Sequence, residues 1–217
     1  MKLSGAIFDM DGTLIDSMWI YENYATRYIR YRGYEPRPDL EAAVVKMTLA
    51  ESAVYLASTY CLEGGAVRVE RELDDMAKEL YDTVEAKPGV VDMLKDFYAA
   101  GIPMALATMT ARPTVLRVLG RLGILPYFSH IFTCDEVGAL KSSPMIYRTA
   151  LSALGTKKEE TLVFEDAIYA IRTAHRDGFL TVAVYDRSSE RHFAEASALS
   201  FMAVRDYRDA DFSRYIG

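Results

Sequence analysis

Apolar residues follow two rhythms along this chain. The run that begins at Leu3 and passes through Ala6-Ile7-Phe8 has strand length and stops abruptly at Asp9 and Asp11, which flank Met10 before Gly12 and Thr13 signal a turn. Over residues 16–85 strand-like runs vanish. Trp19, Ile20, Tyr24, Tyr28 and Tyr31 recur at helical spacing and predict one amphipathic helix over 17–32, closed by Gly33. Further helices are predicted over 40–47, 50–60 and 67–84, with Glu63-Gly64-Gly65 as a break. Beyond Lys87-Pro88-Gly89 helix and strand alternate: a helix over 90–100 stopped by Gly101, a buried strand over 102–107, a short strand over 131–134 and a helix over 145–154. A strand over 161–164, a helix over 167–177 stopped by Gly178 and a strand over 180–184 follow, and the pattern then weakens to a helix closing near 193–196 and an edge strand over 199–202. This order predicts the α/β class, with a Rossmann-like parallel sheet covered on both faces. The core is discontinuous, residues 1–15 and 86–217, with a helical module of residues 16–85 inserted after the first strand.

Composition changes this picture little. With 51% hydrophobic and 26% charged residues in 217, the chain can bury a substantial core. A net charge of −6 without a Lys/Arg block gives no reason to expect nucleic acid as a partner. Cys61 and Cys134 form neither a C-x-x-C pair nor a disulfide framework and read as small buried hydrophobes. His130, His175 and His192 are scattered and read as surface or packing residues. The absence of an apolar signal segment or spanning stretch leads us to expect a cytoplasmic protein with no membrane partner.

The chemistry concentrates where strands end. In an open α/β sheet ligands bind at the carboxyl ends of the strands, and two strands here end in acids, Asp9 with Asp11 and Glu165 with Asp166. Four carboxylates in one crevice repel, at about 4 kcal/mol for each pair about 4 Å apart at an effective dielectric near 20. One lysine cannot offset that, and hard oxygen donors with room for water and phosphate suit Mg2+. Thr108, after the strand Met104-Ala105-Leu106-Ala107, can join its hydroxyl to backbone N–H groups, that of Met109 among them, in a cradle for phosphate oxygens. Lys141, ahead of a helix opened by Pro144, can bring an ammonium to a transferring phosphoryl group.

Asp9-Met10-Asp11-Gly12-Thr13-Leu14 resembles the first signature of the haloacid dehalogenase (HAD) superfamily. Thr108 is similar to its second motif, Lys141 and Pro144 to its third, although Leu140 and Ser142 depart from the usual G-K-P-x-P, and Phe164-Glu165-Asp166-Ala167 to its fourth, with Ala167 for Ser and Ala170 where Gly is common. The resemblance implies a phosphatase acting on a small phosphorylated metabolite, in which Asp9 is the nucleophile and Asp11 the general acid/base. It further implies Mg2+ on an Asp9 carboxylate oxygen, the Asp11 carbonyl and an Asp166 carboxylate, with Glu165 orienting Lys141 or a water on the metal. The inserted helices resemble the helical cap of this superfamily, which makes Lys46, between two cap helices, and Arg112, just past the second motif, candidates for substrate contact. Tyr21 stands about where phosphoglucomutase-like relatives carry His, which favours a hydrolase over a phosphomutase of sugar phosphates. The mutase, a dehalogenase for which Asp11 and the metal acids would be superfluous, and a phospho-ligand sensor without turnover stay open as alternatives.

Overall fold

The computed structural model describes residues 2–45 and 47–215. Its chain divides into two units, residues 1–18 with 84–217 and residues 19–83.

The first unit is built on strands β1 (Gly5–Phe8), β2 (Met104–Thr108), β3 (His130–Thr133), β4 (Thr161–Glu165), β5 (Leu180–Val184) and β6 (Met202–Val204). They form one parallel sheet in the order β3-β2-β1-β4-β5-β6. Successive parallel strands need crossovers, supplied by the helices α5 (Val90–Ala99), α6 (Arg112–Arg121), α7 (Cys134–Val137), α8 (Met145–Leu154), α9 (Ile168–Arg176) and α10 (Glu190–Leu199). Every residue of β1, β2 and β4 is buried, which is why these strands read as continuous apolar runs rather than as alternations. The period of two survives in what each face touches. Ile7 and Val163, register partners across β1 and β4, pack with Ile146, Tyr147, Ala150 and Phe179. Their neighbours Phe8 and Phe164 stack at 4.3 Å and lean on Phe97, Phe128 and Phe212. The expected Rossmann-like α/β core is therefore present. The edge strand lies at Met202–Val204 rather than over 199–202, because α10 runs on to Leu199.

The second unit holds helices α1 (Tyr24–Tyr31), α2 (Leu40–Val44), α3 (Leu49–Thr59) and α4 (Gly65–Tyr81) around a core that includes Tyr28, Ile29, Leu40, Leu56, Val69 and Leu73. Two expectations fail here for local reasons. The single helix over 17–32 is broken: Met18–Tyr21 is a 3-10 turn, and Asn23 adopts a left-handed φ of 52°. The Arg27 guanidinium donates to the Ile20 carbonyl, the acceptor that a continuous helix would offer to the Tyr24 N–H, so Trp19 leaves the apolar stripe and is exposed. Cys61 is exposed rather than buried. It takes the left-handed position after α3, φ 50°, where the Leu62 N–H reaches back to the Ala57 carbonyl and closes the helix end. Cys134 is buried as expected. Among the described residues no helix is long and apolar enough to cross a membrane.

The chain leaves and re-enters the α/β unit through paired linkers. Asp16 N–H donates to the Glu85 carbonyl at 3.0 Å and Lys87 N–H to the Leu14 carbonyl at 2.9 Å. Gly89, just beyond, starts α5 at φ 82°, and a Cβ there would stand 2.6 Å from the Arg208 backbone nitrogen and 2.9 Å from the Tyr207 carbonyl carbon. Gly89→Ala therefore combines a left-handed penalty with a backbone clash, about 2 kcal/mol or more together. For a chain of this size that lowers Tm by roughly 4–8 °C, measurable by thermal denaturation.

Candidate active site

The strand order reverses direction between β1 and β4, and the crevice beyond their carboxyl ends is where an open α/β sheet binds ligands. Phe8 and Phe164 are register partners, and the ladder runs one step further because the Asp9 N–H donates to the Phe164 carbonyl at 3.0 Å. Asp9 and Glu165 therefore leave adjacent strands at the same level. Oxygens of Asp9, Glu165 and Asp166 lie within 4.8 Å of one another, and all three side chains are buried. Lys141, 2% exposed, sends its ammonium between two of them, 2.5 Å from Asp9 Oδ1 and 2.6 Å from Glu165 Oε1. The Tyr147 hydroxyl, from α8, donates to the same Glu165 Oε1 at 2.7 Å. Glu165 Oε2 is buried without a hydrogen-bond partner.

The turn after β1 shapes the wall opposite. The N–H groups of Thr13, Leu14 and Ile15 all converge on the Met10 carbonyl, which curls the loop tightly. Gly12 sits at φ 72°, and a Cβ there would lie 2.6 Å from Asp166 Oδ2, so the loop can close against Asp166 only with glycine. Asp11 is gripped on both carboxylate oxygens: Ser17 Oγ donates to Oδ1 at 2.7 Å and Thr110 Oγ1 to Oδ2 at 2.6 Å. The Thr110 N–H donates to Thr108 Oγ1 at 3.1 Å, which links Asp11 to Thr108 through one residue. Met109 is exposed between them, with its Sδ accepting from the Tyr169 hydroxyl at 3.2 Å.

The structure thus brings Asp9, Lys141, Glu165 and Asp166 into one cluster and ties Asp11 to Thr108. It does not bring Arg112 to them: the guanidinium forks onto Glu136 at 2.5 and 2.7 Å and also donates to the Ile131 carbonyl, joining the start of α6 to β3 and α7. Lys46 lies outside the described residues. Sequence reasoning missed Ser17, Thr110 and Tyr147. The hydroxyls of the first two were legible only as turn and helix-start residues, and Tyr147 as one apolar position of a helix.

Three carboxylates face one ammonium, and the imbalance appears in their titration. Burial, then the charge of Glu165, pushes the Asp9 carboxyl well above its ordinary value despite Lys141. Burial, Glu165 and Asp186 raise Asp166 to about 7. Lys141 itself loses from burial but is held above the usual lysine range by Asp9 and Glu165. A buried oxygen without a partner, hard carboxylate donors and surplus negative charge fit a divalent cation of the Mg2+ kind.

The profile of the haloacid dehalogenase-like hydrolases matches residues 6–184. The chain belongs to this family. Among curated proteins it is similar to a phosphorylated carbohydrates phosphatase of Thermotoga maritima, 25% identical over 92% of this chain and 94% of that one. It is similar also to hexitol phosphatase A of Escherichia coli, 27% identical over 85% and 84%. Its fold matches a Thermotoga maritima structure provisionally described as a beta-phosphoglucomutase, with a TM-score of 0.79 and 25% identity over 96% of each chain. CbbY of Rhodobacter sphaeroides in complex with phosphate shares the fold at a TM-score of 0.71, 22% identity and coverage of 95% and 96%. The expected family and fold class stand, and the family makes the chain a hydrolase by descent.

The raised Asp166 has a consequence for the cation-free protein. The folded state keeps a proton that the unfolded chain releases near pH 4, so this group's contribution is fully present below that pH and is lost as pH rises through about 7. Thermal scans in a chelator should show Tm falling between about pH 4 and 7. Added Mg2+ should reverse the fall, and Asp166→Asn should lessen it, the remainder coming from the raised Asp9.

Proposed function

We propose that this protein is a Mg2+-dependent phosphatase of small phosphorylated metabolites that works through a phosphorylated Asp9. The observation that carries this reading is the buried Lys141 ammonium held 2.5 Å from Asp9 at the mouth of the sheet, beside two further acids. Lys141 is the positive charge that favours the ionised form of Asp9 against burial and Glu165 and that offsets the repulsion of an arriving phosphate dianion.

Asp9, the Asp11 carbonyl and Asp166 would hold Mg2+, which when bound draws charge from the phosphoryl group. The rest falls to the chain's own groups. Asp9 attacks phosphorus in line; the bond to the leaving oxygen breaks, and Asp11 gives that oxygen its proton. Asp11, now a carboxylate fixed by Ser17 and Thr110, takes a proton from water, whose oxygen attacks the aspartyl-phosphate and releases inorganic phosphate and free Asp9. Thr108 accepts the Thr110 N–H on its hydroxyl oxygen, so its own proton is directed to a phosphoryl oxygen, alongside the Met109 N–H. Lys141 carries the charge that builds on that group. The helical unit is read as the cap that selects the ester, with Lys46 as one contact, and the protein as cytoplasmic.

Two relatives named as phosphatases of sugar-type esters support hydrolysis, and they direct attention to phosphorylated sugars and sugar alcohols. The neighbour described as a beta-phosphoglucomutase favours a second reading, a sugar-phosphate mutase, for which Asp9 would be primed by a bisphosphate. Phosphate release from a panel of phosphorylated sugars, polyols and p-nitrophenyl phosphate, with and without Mg2+, separates the two when run beside an isomerisation assay on hexose 1-phosphates. The expected outcome is Mg2+-dependent phosphate release without isomerisation. Asp9→Asn should abolish turnover, and Asp11→Ala should lower kcat by about 10²- to 10⁴-fold while leaving the protein folded. Hydrolysis at the wild-type rate by Asp9→Asn would refute the assignment.

A further inference from the structure

Tyr147 lies inside the sheet-facing side of α8, fully buried against Phe179 at a ring separation of 6.1 Å, and apolar packing alone would be served by phenylalanine. Its hydroxyl is nevertheless placed 2.7 Å from Glu165 Oε1, the oxygen that already accepts the Lys141 ammonium at 2.6 Å. The other oxygen of the same carboxylate, Oε2, is buried with no partner.

We infer that Tyr147 is a positioning residue that fixes the rotation of the Glu165 carboxylate and so keeps the Lys141 ammonium shared with Asp9. The inference rests on the phosphatase reading above and deepens it. Two donors on one oxygen determine the carboxylate plane where one would leave it free to swing. With its Oε1 satisfied from two directions, Glu165 holds Oε2 uncommitted within the acidic cluster and has no need to draw the ammonium fully onto itself. Lys141 can then stay bridged, 2.5 Å from Asp9 Oδ1. Without the tyrosine hydroxyl, Glu165 compensates by rotating toward Lys141, and both the unpartnered Oε2 and the charge partner of Asp9 are displaced together.

Tyr147→Phe keeps the ring and removes only the donor. MgCl2 binding is measured by calorimetry on the wild type, Tyr147→Phe, Glu165→Gln and the double variant, with p-nitrophenyl phosphate hydrolysis and Tm recorded for each. Outer partners of a metal ligand set typically weaken binding by 10- to 100-fold when removed, so Tyr147→Phe should raise the Mg2+ dissociation constant by about tenfold. It should lower kcat with KM for the ester within about twofold, because the hydroxyl acts through Glu165 and touches no phosphate. The double variant should lose no more than Glu165→Gln alone, the non-additivity of residues acting as a unit. Unchanged Mg2+ affinity in Tyr147→Phe, or additive losses in the double variant, would assign the tyrosine to packing and overturn the inference. A wild type that neither binds Mg2+ nor hydrolyses any ester would instead overturn the phosphatase reading itself.

Discussion

One ammonium set among three buried carboxylates is the constraint around which the α/β unit is arranged. Taking a charge from water into a protein interior costs several kcal/mol, on the order of 5, and an ion pair recovers that only when its geometry is good and its remaining valences are filled. Lys141 meets these conditions with two short contacts, to Asp9 and Glu165. The carboxylates do not: among the described residues Asp166 has only the Thr13 hydroxyl at 3.5 Å and is raised to about 7, and Glu165 Oε2 is buried with no hydrogen-bond partner. An interior that keeps such an imbalance is arranged for a charge that arrives with the reaction rather than for stability.

Topology makes this arrangement inexpensive. β1 and β4 are neighbours at the place where the strand order turns back, so two acids remote in sequence leave the sheet at one level without any loop having to span the distance. The paired aromatic faces below, with Phe8 on Phe164 and Phe97, Phe128 and Phe212 around them, fix the strands that carry those acids. The tight curl on the Met10 carbonyl brings Asp11 back over the same crevice, and Gly12 leaves the room beside Asp166 that this curl requires. Packing energy gained in the core is thus what holds like charges at short range.

Much of this was legible in the sequence because it is written in backbone rhythm. Continuous apolar runs ending in acids mark central parallel strands and their carboxyl ends, and both acidic pairs were found that way, whereas Lys141 was found from its place ahead of the helix opened by Pro144 and its likeness to the third family motif. What stayed hidden depends on side chains meeting across long separations. Thr110 and Ser17 clamp Asp11 from opposite directions, yet each is an ordinary helix-start or turn residue in isolation. Arg112 looks available for a ligand until Glu136, twenty-four positions on, is seen to take its guanidinium. The break at Asn23 escaped for a similar reason: aromatic residues on both sides keep helical spacing, and only the Arg27 guanidinium on the Ile20 carbonyl shows where the helix has been interrupted.

The return linker extends the same charge logic. The Lys87 ammonium donates to Asp186 Oδ2 at 2.8 Å and to the Tyr185 carbonyl at 2.7 Å, pinning the start of the second crossing to the end of β5. Burial works against the charge of Asp186, but Lys87 and the Ser188 hydroxyl and N–H hold its carboxyl below the ordinary range, so it stays ionised and contributes to the field that raises Asp166. A buried pair of this kind is weak as a source of stability, since an apolar pair of equal volume would serve as well. Its value lies in location. The residue that anchors the linker is also the one that offsets Asp186, so the position of that linker and the charge beside Asp166 are set by one and the same contact.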